Sequence, residues 1–419
     1  MSEQNPGAEI YELVRVLFPI CRSITGNGVR QTLSILSEYI PLQIVEIPTG
    51  TQVFDWTVPR EWNIRDAFIE DPRGKIIVEF AKSNLHVLNY SGPVNAIVTL
   101  EQLKRHLYTL PEHPDWVPYK TSYYQENWGF CLSHRQFLTL EEGEYRVVID
   151  SSLENGHLSY GEYLLPGEKQ DEVLVSTHVC HPSLANDNLS GIAVATCLAR
   201  HLAGRKRRYS YRFLFVPGTI GAITWLSLNQ QSAARVRHGL VLTGLGDPGN
   251  LTYKKSRRGN ADIDQAAQYI LKRRDPESCI REFSPYGYDE RQYCSPGFNL
   301  PVGRLSRTPY GEYDEYHSSA DNLDFVRPEK LGDSFTAITE IFQLLEGNSI
   351  CQNLNPMCEP QLGRRGVYNG IGRDQHAILW VLSLSDGKHS LLDIAERSGI
   401  EFQSIRSAAE VLKKLDLLG

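Results

Sequence analysis

The stretch Asp171-Glu-Val-Leu-Val-Ser-Thr-His-Val-Cys-His-Pro-Ser-Leu-Ala-Asn-Asp-Asn-Leu-Ser-Gly191 decides how the rest of the chain is read. Val173-Leu174-Val175 is a short apolar run that predicts a buried strand. His178 and His181 follow, then a turn through Pro182, then Asn186-Asp187-Asn188. Ile192 to Leu202 predicts a helix. Two imidazoles and a carboxylate thus gather where a strand ends and a helix begins, the place where open α/β sheets bind ligands. Nitrogen and carboxylate donors suit zinc, and a catalytic zinc keeps one position for water. Each residue alone has an ordinary explanation: a hydrogen-bonded histidine, or an aspartate capping a helix.

Working outward toward the C-terminus, Arg212-Phe-Leu-Phe-Val216 predicts a second buried strand and Ile220 to Leu228 a helix. His238 to Asp247 reads as a third strand with a carboxylate at its end. Pro301-Val-Gly-Arg304 leads to a loop carrying Tyr310, Glu312 and His317, and a helix is expected from Pro328 to Leu345. Alternating short strands and helices predict an α/β core of βαβ units. The candidate metal ligands are His178, Asp187, Asp247 and His317.

Toward the N-terminus, residues 9–40 predict two helices split by a turn at 19–28, which carries Arg22 and reads as a solvated loop. Residues 43–124 are rich in β-formers, Pro and Gly, and predict an inserted β-rich, lid-like domain. Tyr145–Asp150 and Gly156–Leu165 read as a hairpin leading to the Val173 strand. The core is therefore expected over 1–42 and 125–346. Between insert and core, Tyr123, Tyr124 and Trp128 suit either an aromatic core under a loop or, with Tyr310, a pocket wall for a polar ligand. Residues 347–360 form a turn-rich linker. Helices at 375–384, 390–399 and 402–415 resemble a winged helix over 361–419. The expected reading helix opens Glu401-Phe-Gln-Ser-Ile-Arg406, with little basic charge, which favours a structural or protein-contact role over DNA.

The net charge of −7 argues against a general nucleic-acid or anionic-membrane binder. No segment is apolar enough to span a bilayer, and Met1-Ser-Glu-Gln-Asn-Pro6 lacks the features of a signal peptide. Eight scattered cysteines without a C-x-x-C pair read as reduced thiols, so a cytoplasmic protein is expected. The expected partner is a small-molecule or amino-acyl substrate, and the insert and the winged helix are the candidate surfaces for homo-oligomers.

The motif residues carry a resemblance. Asn186-Asp187-Asn188-Leu-Ser-Gly191, the preceding His178, and His317-Ser-Ser-Ala-Asp321 resemble the ligand segments of the two-zinc aminopeptidases. More closely, Phe54 to Ile64, Ser122-Tyr-Tyr124, Trp128 to Cys131 and Ser176 to Gly191 resemble a bacterial aminopeptidase-like family linked to polysaccharide biosynthesis. The resemblance implies a mixed sheet flanked by helices, with the β-rich insert and the C-terminal winged helix. It also implies one or two zinc ions, with Asp187 bridging where there are two.

One position breaks the pattern. The closer family carries Pro-Glu-Thr-Ile-Gly where this chain has Pro217-Gly218-Thr219-Ile220-Gly221, so the resemblance implies a general base that Gly218 cannot supply. Thr243 likewise lies nearer the family's Asp ligand position than Asp247 does. Three readings follow. Glu312, Asp314, Glu315 or His181 replaces the lost base in a zinc aminopeptidase or amidohydrolase acting on a small amide or amino-acyl conjugate. Alternatively, one zinc supports non-hydrolytic acyl transfer, condensation or cyclisation. Or the chain is an inactive homologue that binds a metal or ligand.

Overall fold

The computed structural model describes residues 6–366 and 375–419. The chain divides into two compact units, Met1–Ile338 and Thr339–Gly419. In the first unit, α1 (Pro6–Leu17) and α2 (Asn27–Ser37) precede β1 (Gln43–Pro48). The central elements are β2 (His157–Leu165), β3 (Glu172–His178), α3 (Gly191–Ala203), β4 (Ser210–Val216), α4 (Ile220–Leu228) and β5 (Val236–Leu242). Then come β6 (Thr252–Lys254), α5 (Asp262–Arg274), β7 (Cys279–Arg281), β8 (Val302–Ser306) and α6 (Pro328–Gly347).

These eight strands form one sheet in the order β1-β2-β4-β3-β5-β8-β6-β7. The centre, β4-β3-β5-β8, is parallel. Every residue of β3 and of β4 is buried, which is why both appear in sequence as continuous apolar runs rather than alternations. The chain leaves β3 through α3 to β4 on one side, then returns to β5 on the other. That reversal of direction opens a crevice beyond the carboxyl end of β3, where His178 ends the strand.

A second, four-stranded antiparallel sheet is built from Glu61–Glu70, Ile76–Glu79, Val94–Thr99 and Glu144–Glu154. Its apolar side holds Ala67, Ile69, Val78, Tyr145, Val147 and Ile149. Two expectations fail here. The 43–124 boundary is wrong at both ends, because Gln43–Pro48 is an edge strand of the main sheet and Glu144–Glu154 belongs to the small one. The expected hairpin is also absent: Glu144–Glu154 pairs with the insert strands, whereas His157–Leu165 pairs with β1 and β4. Alternating burial along 144–154 fits a sheet with one apolar face, so the turn at 155–156 hands the chain from one sheet to the other.

In the second unit, helices Gln375–Leu384, Leu391–Ser398 and Phe402–Lys414 surround Ile378, Val381, Leu392, Ile394, Ile405 and Leu412, with a two-stranded ladder of Ile350–Gln352 and Asp386–Ser390. This unit begins well before the expected residue 361, because Ile350–Gln352 supplies a strand and is not a free linker. Part of the 361–419 expectation, residues 367–374, lies outside the described residues, as does the Met1–Asn5 part of the N-terminal reading. No helix among the described residues is long and apolar enough to cross a membrane.

Candidate metal centre

Beyond β3 the chain turns through Ala185–Ser190 before α3 begins at Gly191. The turn is fastened from below. Asp321 accepts the backbone N–H of Asn186 at 2.6 Å and of Asp187 at 2.9 Å. Asn188 donates to Thr177 Oγ1 at 2.7 Å and to the Leu242 carbonyl at 3.3 Å, tying the turn to β3 and β5. Asp187 is thereby presented into the crevice, where three imidazoles meet it. His178 Nε2 lies 2.9 Å from Oδ1, and His317 Nε2 lies 3.0 Å from Oδ2. The His181 ring is centred 4.8 Å from that of His178 and 5.2 Å from that of His317. Ligand atoms of His178, His181 and Asp187 all fall within 4.8 Å of one another.

The electrostatics follow from burial. His178, His181 and Asp187 are all less than a tenth exposed. Burial holds the His181 imidazole well below the ordinary histidine range, so it is neutral and able to ligate. Burial alone would raise the Asp187 carboxyl, but His181, His178 and His317 together hold it well below the carboxylate range. Asp321 behaves oppositely: burial lifts it to about 8 despite the two N–H groups it accepts.

The third imidazole comes from far along the chain. His317 has a left-handed backbone, φ 55°, which costs energy in a residue with a Cβ. Neighbouring backbone contacts hold it there. Tyr119 N–H donates to the His317 carbonyl at 2.7 Å, and Ser319 N–H donates to the Val117 carbonyl at 2.8 Å. The Tyr119 ring also stands edge-on to both His181 and His317. Tyr316 stacks on the other side of His317, 3.9 Å between centroids.

Arg22 was expected in a solvated loop. It is fully buried instead, donating from Nε to the His181 carbonyl at 2.8 Å and from Nη1 to the Leu17 carbonyl at 2.9 Å. Burial pushes its guanidinium down to about 10. Sequence reading missed Arg22, Tyr119 and Tyr288 as parts of the site's frame, and picked out Asp321 as the end of the His317 motif without its role of holding the Asn186 and Asp187 backbone. Arg22 stood within a Pro-Gly turn cluster, and only its charge in an otherwise apolar neighbourhood hinted at a buried role.

Other expected residues are placed differently. Asp247 is buried away from the imidazoles and is occupied by Asn186 Nδ2, Gly249 N–H and the Thr308 hydroxyl, so it braces the loops and does not join the ligand cluster. Glu312 pairs with Arg281 through both oxygens in an exposed position, which removes it as a replacement base. Trp128 stacks on His106 at 3.7 Å and packs into the insert's own core, so it is not a pocket wall. Tyr123 is hydrogen-bonded to the Tyr119 hydroxyl at 2.9 Å, one residue removed from the imidazoles. Tyr124 is half-exposed against Trp56. Tyr310 neighbours Tyr316, at 5.9 Å.

Gly218 is not an open gap. A Cβ there would fall 2.2 Å from Tyr288 Cε1 and 2.4 Å from its hydroxyl. The Tyr288 ring lies 4.0 Å from that of His178, and its hydroxyl is 3.6 Å from Cys180 Sγ. A phenol therefore occupies the volume into which a residue-218 carboxylate would reach. A groove of about 670 Å³ lies elsewhere, lined among others by Phe18, Gln31, Trp62, Lys82 and Asn84, and none of the cluster residues borders it.

Residues 11–348 match the family described as domain of unknown function DUF4910, and residues 349–419 match the winged helix-turn-helix family. The chain belongs to the DUF4910 family. It is 51% identical, over its whole length and 97% of the relative's, to a Clostridium acetobutylicum protein provisionally described as a polysaccharide biosynthesis protein with an aminopeptidase-like domain. A crystal structure from Clostridium acetobutylicum, provisionally described as a peptidase, shares 50% identity and a TM-score of 0.93, covering 99% of this chain and 96% of that one. A zinc aminopeptidase from Bacillus subtilis shares the fold at 12% identity, with a TM-score of 0.59 over 81% of this chain and 93% of that one. The DUF4910 core is thus an aminopeptidase-like α/β fold followed by a winged helix, as the motif residues implied.

Proposed function

We propose that the chain is a zinc-dependent hydrolase of a small amide or amino-acyl conjugate, with His178, Asp187 and His317 holding the ion. The observation that carries this is Asp187 contacted through both carboxylate oxygens by imidazole nitrogens, at the crevice beyond β3. The donor set fits: imidazole nitrogens around a carboxylate that these imidazoles hold well below its usual range are the ligands zinc prefers. Zinc held there would supply a hydroxide near neutral pH and polarise an amide carbonyl.

The chain's own residues do the rest. Asp321, Asn188 and Arg22 fix the backbone around Asp187 and His181, so these ligands need little reorganisation. Tyr119 and Tyr288 narrow the crevice around the imidazoles and limit water. His181 either completes the ligand set or accepts the proton of the attacking water in place of the missing carboxylate. The Clostridium acetobutylicum relative's description supports an amide-bearing polysaccharide building block as the substrate class.

One observation favours a second reading. Because Tyr288 fills the base position, a neutral phenol faces the substrate, and that suits non-hydrolytic acyl transfer better than water activation.

Metal analysis of the full chain purified without added metal is expected to return one ion per chain, and Asp187→Ala to return none. No ion in the unaltered chain would overturn both readings. His181→Gln separates its two uses: loss of the ion makes it a ligand, whereas a retained ion with turnover reduced about 100-fold makes it the proton acceptor.

A further inference from the structure

Strand β8 sets Arg304 directly opposite Lys254 of β6. Both are buried. Like charges facing each other on one sheet repel, and burial strengthens the repulsion. One carboxylate stands between them. Glu290 Oε1 lies 2.9 Å from Lys254 Nζ but 3.8 Å from Arg304 Nη1. Lys254 also donates to the Tyr286 carbonyl at 2.8 Å. Lys254 is therefore well engaged, whereas Arg304 Nε and Nη1 are buried with no hydrogen-bond partner among the described residues. Asp289, next in sequence to Glu290, does not engage either cation: both its carboxyl oxygens are buried without a hydrogen-bond partner among the described residues, and burial raises its carboxyl well above the usual range. The cluster keeps one positive charge in excess, on a side chain with two unfilled donors. Buried guanidinium donors are rarely left so unless something else fills them.

The position of Arg304 indicates what that is. Its guanidinium lies 4.9 Å over the Tyr310 ring. Tyr310 neighbours Tyr316, and Tyr316 stacks on His317. One aromatic wall thus runs from the imidazole cluster to the guanidinium. The segment of Tyr286, Tyr288 and Glu290 packs along the same series of residues, with Tyr288 on His178, Tyr286 beside Tyr310 and Glu290 on Lys254.

We infer that Arg304 forms an anion subsite at the far end of the crevice and that the substrate is an amide carrying a carboxylate, which Arg304 binds while the amide faces His178 and His317. The inference rests on the reading above for the position of the amide, but not for the existence of the subsite. A single excess positive charge matches a carboxylate better than a phosphate dianion.

The test uses the full chain, treated with a chelator, in calorimetric titrations at fixed ionic strength. The probes are succinate, neutral succinamide and inorganic phosphate. Succinate is expected to bind in the millimolar range or tighter, succinamide not to bind, and phosphate to bind more weakly than succinate. Arg304→Met is expected to weaken succinate at least about tenfold. Glu290→Gln, which removes the competing carboxylate, is expected to tighten it about threefold or more, and it keeps the inference testable if Arg304→Met fails to fold. Unaltered succinate binding in either variant, equal binding of succinamide, preferential binding of phosphate, or no succinate binding at all would overturn the subsite. Succinate binding that depends on Arg304, in a chain that holds no ion and cleaves no amide, would uphold the subsite and reject the hydrolase reading. Hydrolysis without succinate binding would do the reverse.

Discussion

Tyr288 sits where a side chain at residue 218 would have to go, so Gly218 is fixed by its neighbour as much as by its own chemistry. Gly218→Ala should cost about 1–2 kcal/mol, read from urea unfolding, because the Tyr288 ring must shift from its tilted contact with His178. Gly218→Glu should cost more alone than when combined with Tyr288→Ala, and that ordering tests whether phenol and carboxylate compete for one volume. The loss of the carboxylate was legible in Pro217-Gly-Thr-Ile-Gly221. Its replacement was not, since Tyr288 comes from a later loop with no periodicity to place it. His238 gives a second expectation at this scale. Burial pushes its imidazole down to about 4, and Nδ1 has no hydrogen-bond partner among the described residues. Between pH 6.5 and about 4 the unfolded chain binds a proton that the folded chain refuses, so stability present above 6.5 falls as pH drops through that window. Denaturant midpoints should show a loss of about 2–3 kcal/mol, removed in His238→Phe.

At the scale of elements, the central strands hold a buried charge network at the end remote from His178. Arg212 of β4 donates from Nε and Nη2 to Glu172 of β3 at 2.6 and 2.9 Å, and also pairs with Glu162 of β2. Arg235 approaches Glu172 from the segment before β5. Glu172→Ala leaves the Arg212 charge buried with half its partners, and should cost about 3–5 kcal/mol by thermal or urea unfolding while leaving metal content unchanged. The strands β3, β4 and β5 were readable because they are long and buried on both faces. β6 and β7 have three residues each, too short for any pattern, and went unread. The hairpin misreading has the same root: strand identity is written in local alternation, whereas the choice of partner sheet depends on which apolar face lies within reach. Asp247 shows the limit for ligands. A carboxylate after a strand looks the same in sequence whether it meets a metal or, as here, Thr308 and Asn186.

For the molecule as a whole, the second unit has its own cluster of Ile378, Val381, Leu392, Ile394, Ile405 and Leu412. Residues 349–419 expressed alone should therefore give a cooperative thermal transition by circular dichroism. A melt without a transition would show that the unit depends on the rest of the chain. The winged-helix assignment was legible because three short helices and their glycine stops are local signals; Gly399, for example, closes its helix at φ 71°. The ligand set was only partly legible, because it joins segments far apart in sequence.

The backbone bonds joining Tyr119 to His317 and Val117 to Ser319 tie the Val117–Tyr119 segment to the last loop of the imidazole cluster. These contacts span about two hundred residues, and contacts of such separation form late in folding because a large loop must close first. A nascent chain therefore carries His178, His181 and Asp187 together long before His317 arrives. Under the zinc reading proposed above, uptake of the ion at full affinity on refolding should lag behind recovery of the far-ultraviolet signal, so that its capture times the last step of assembly.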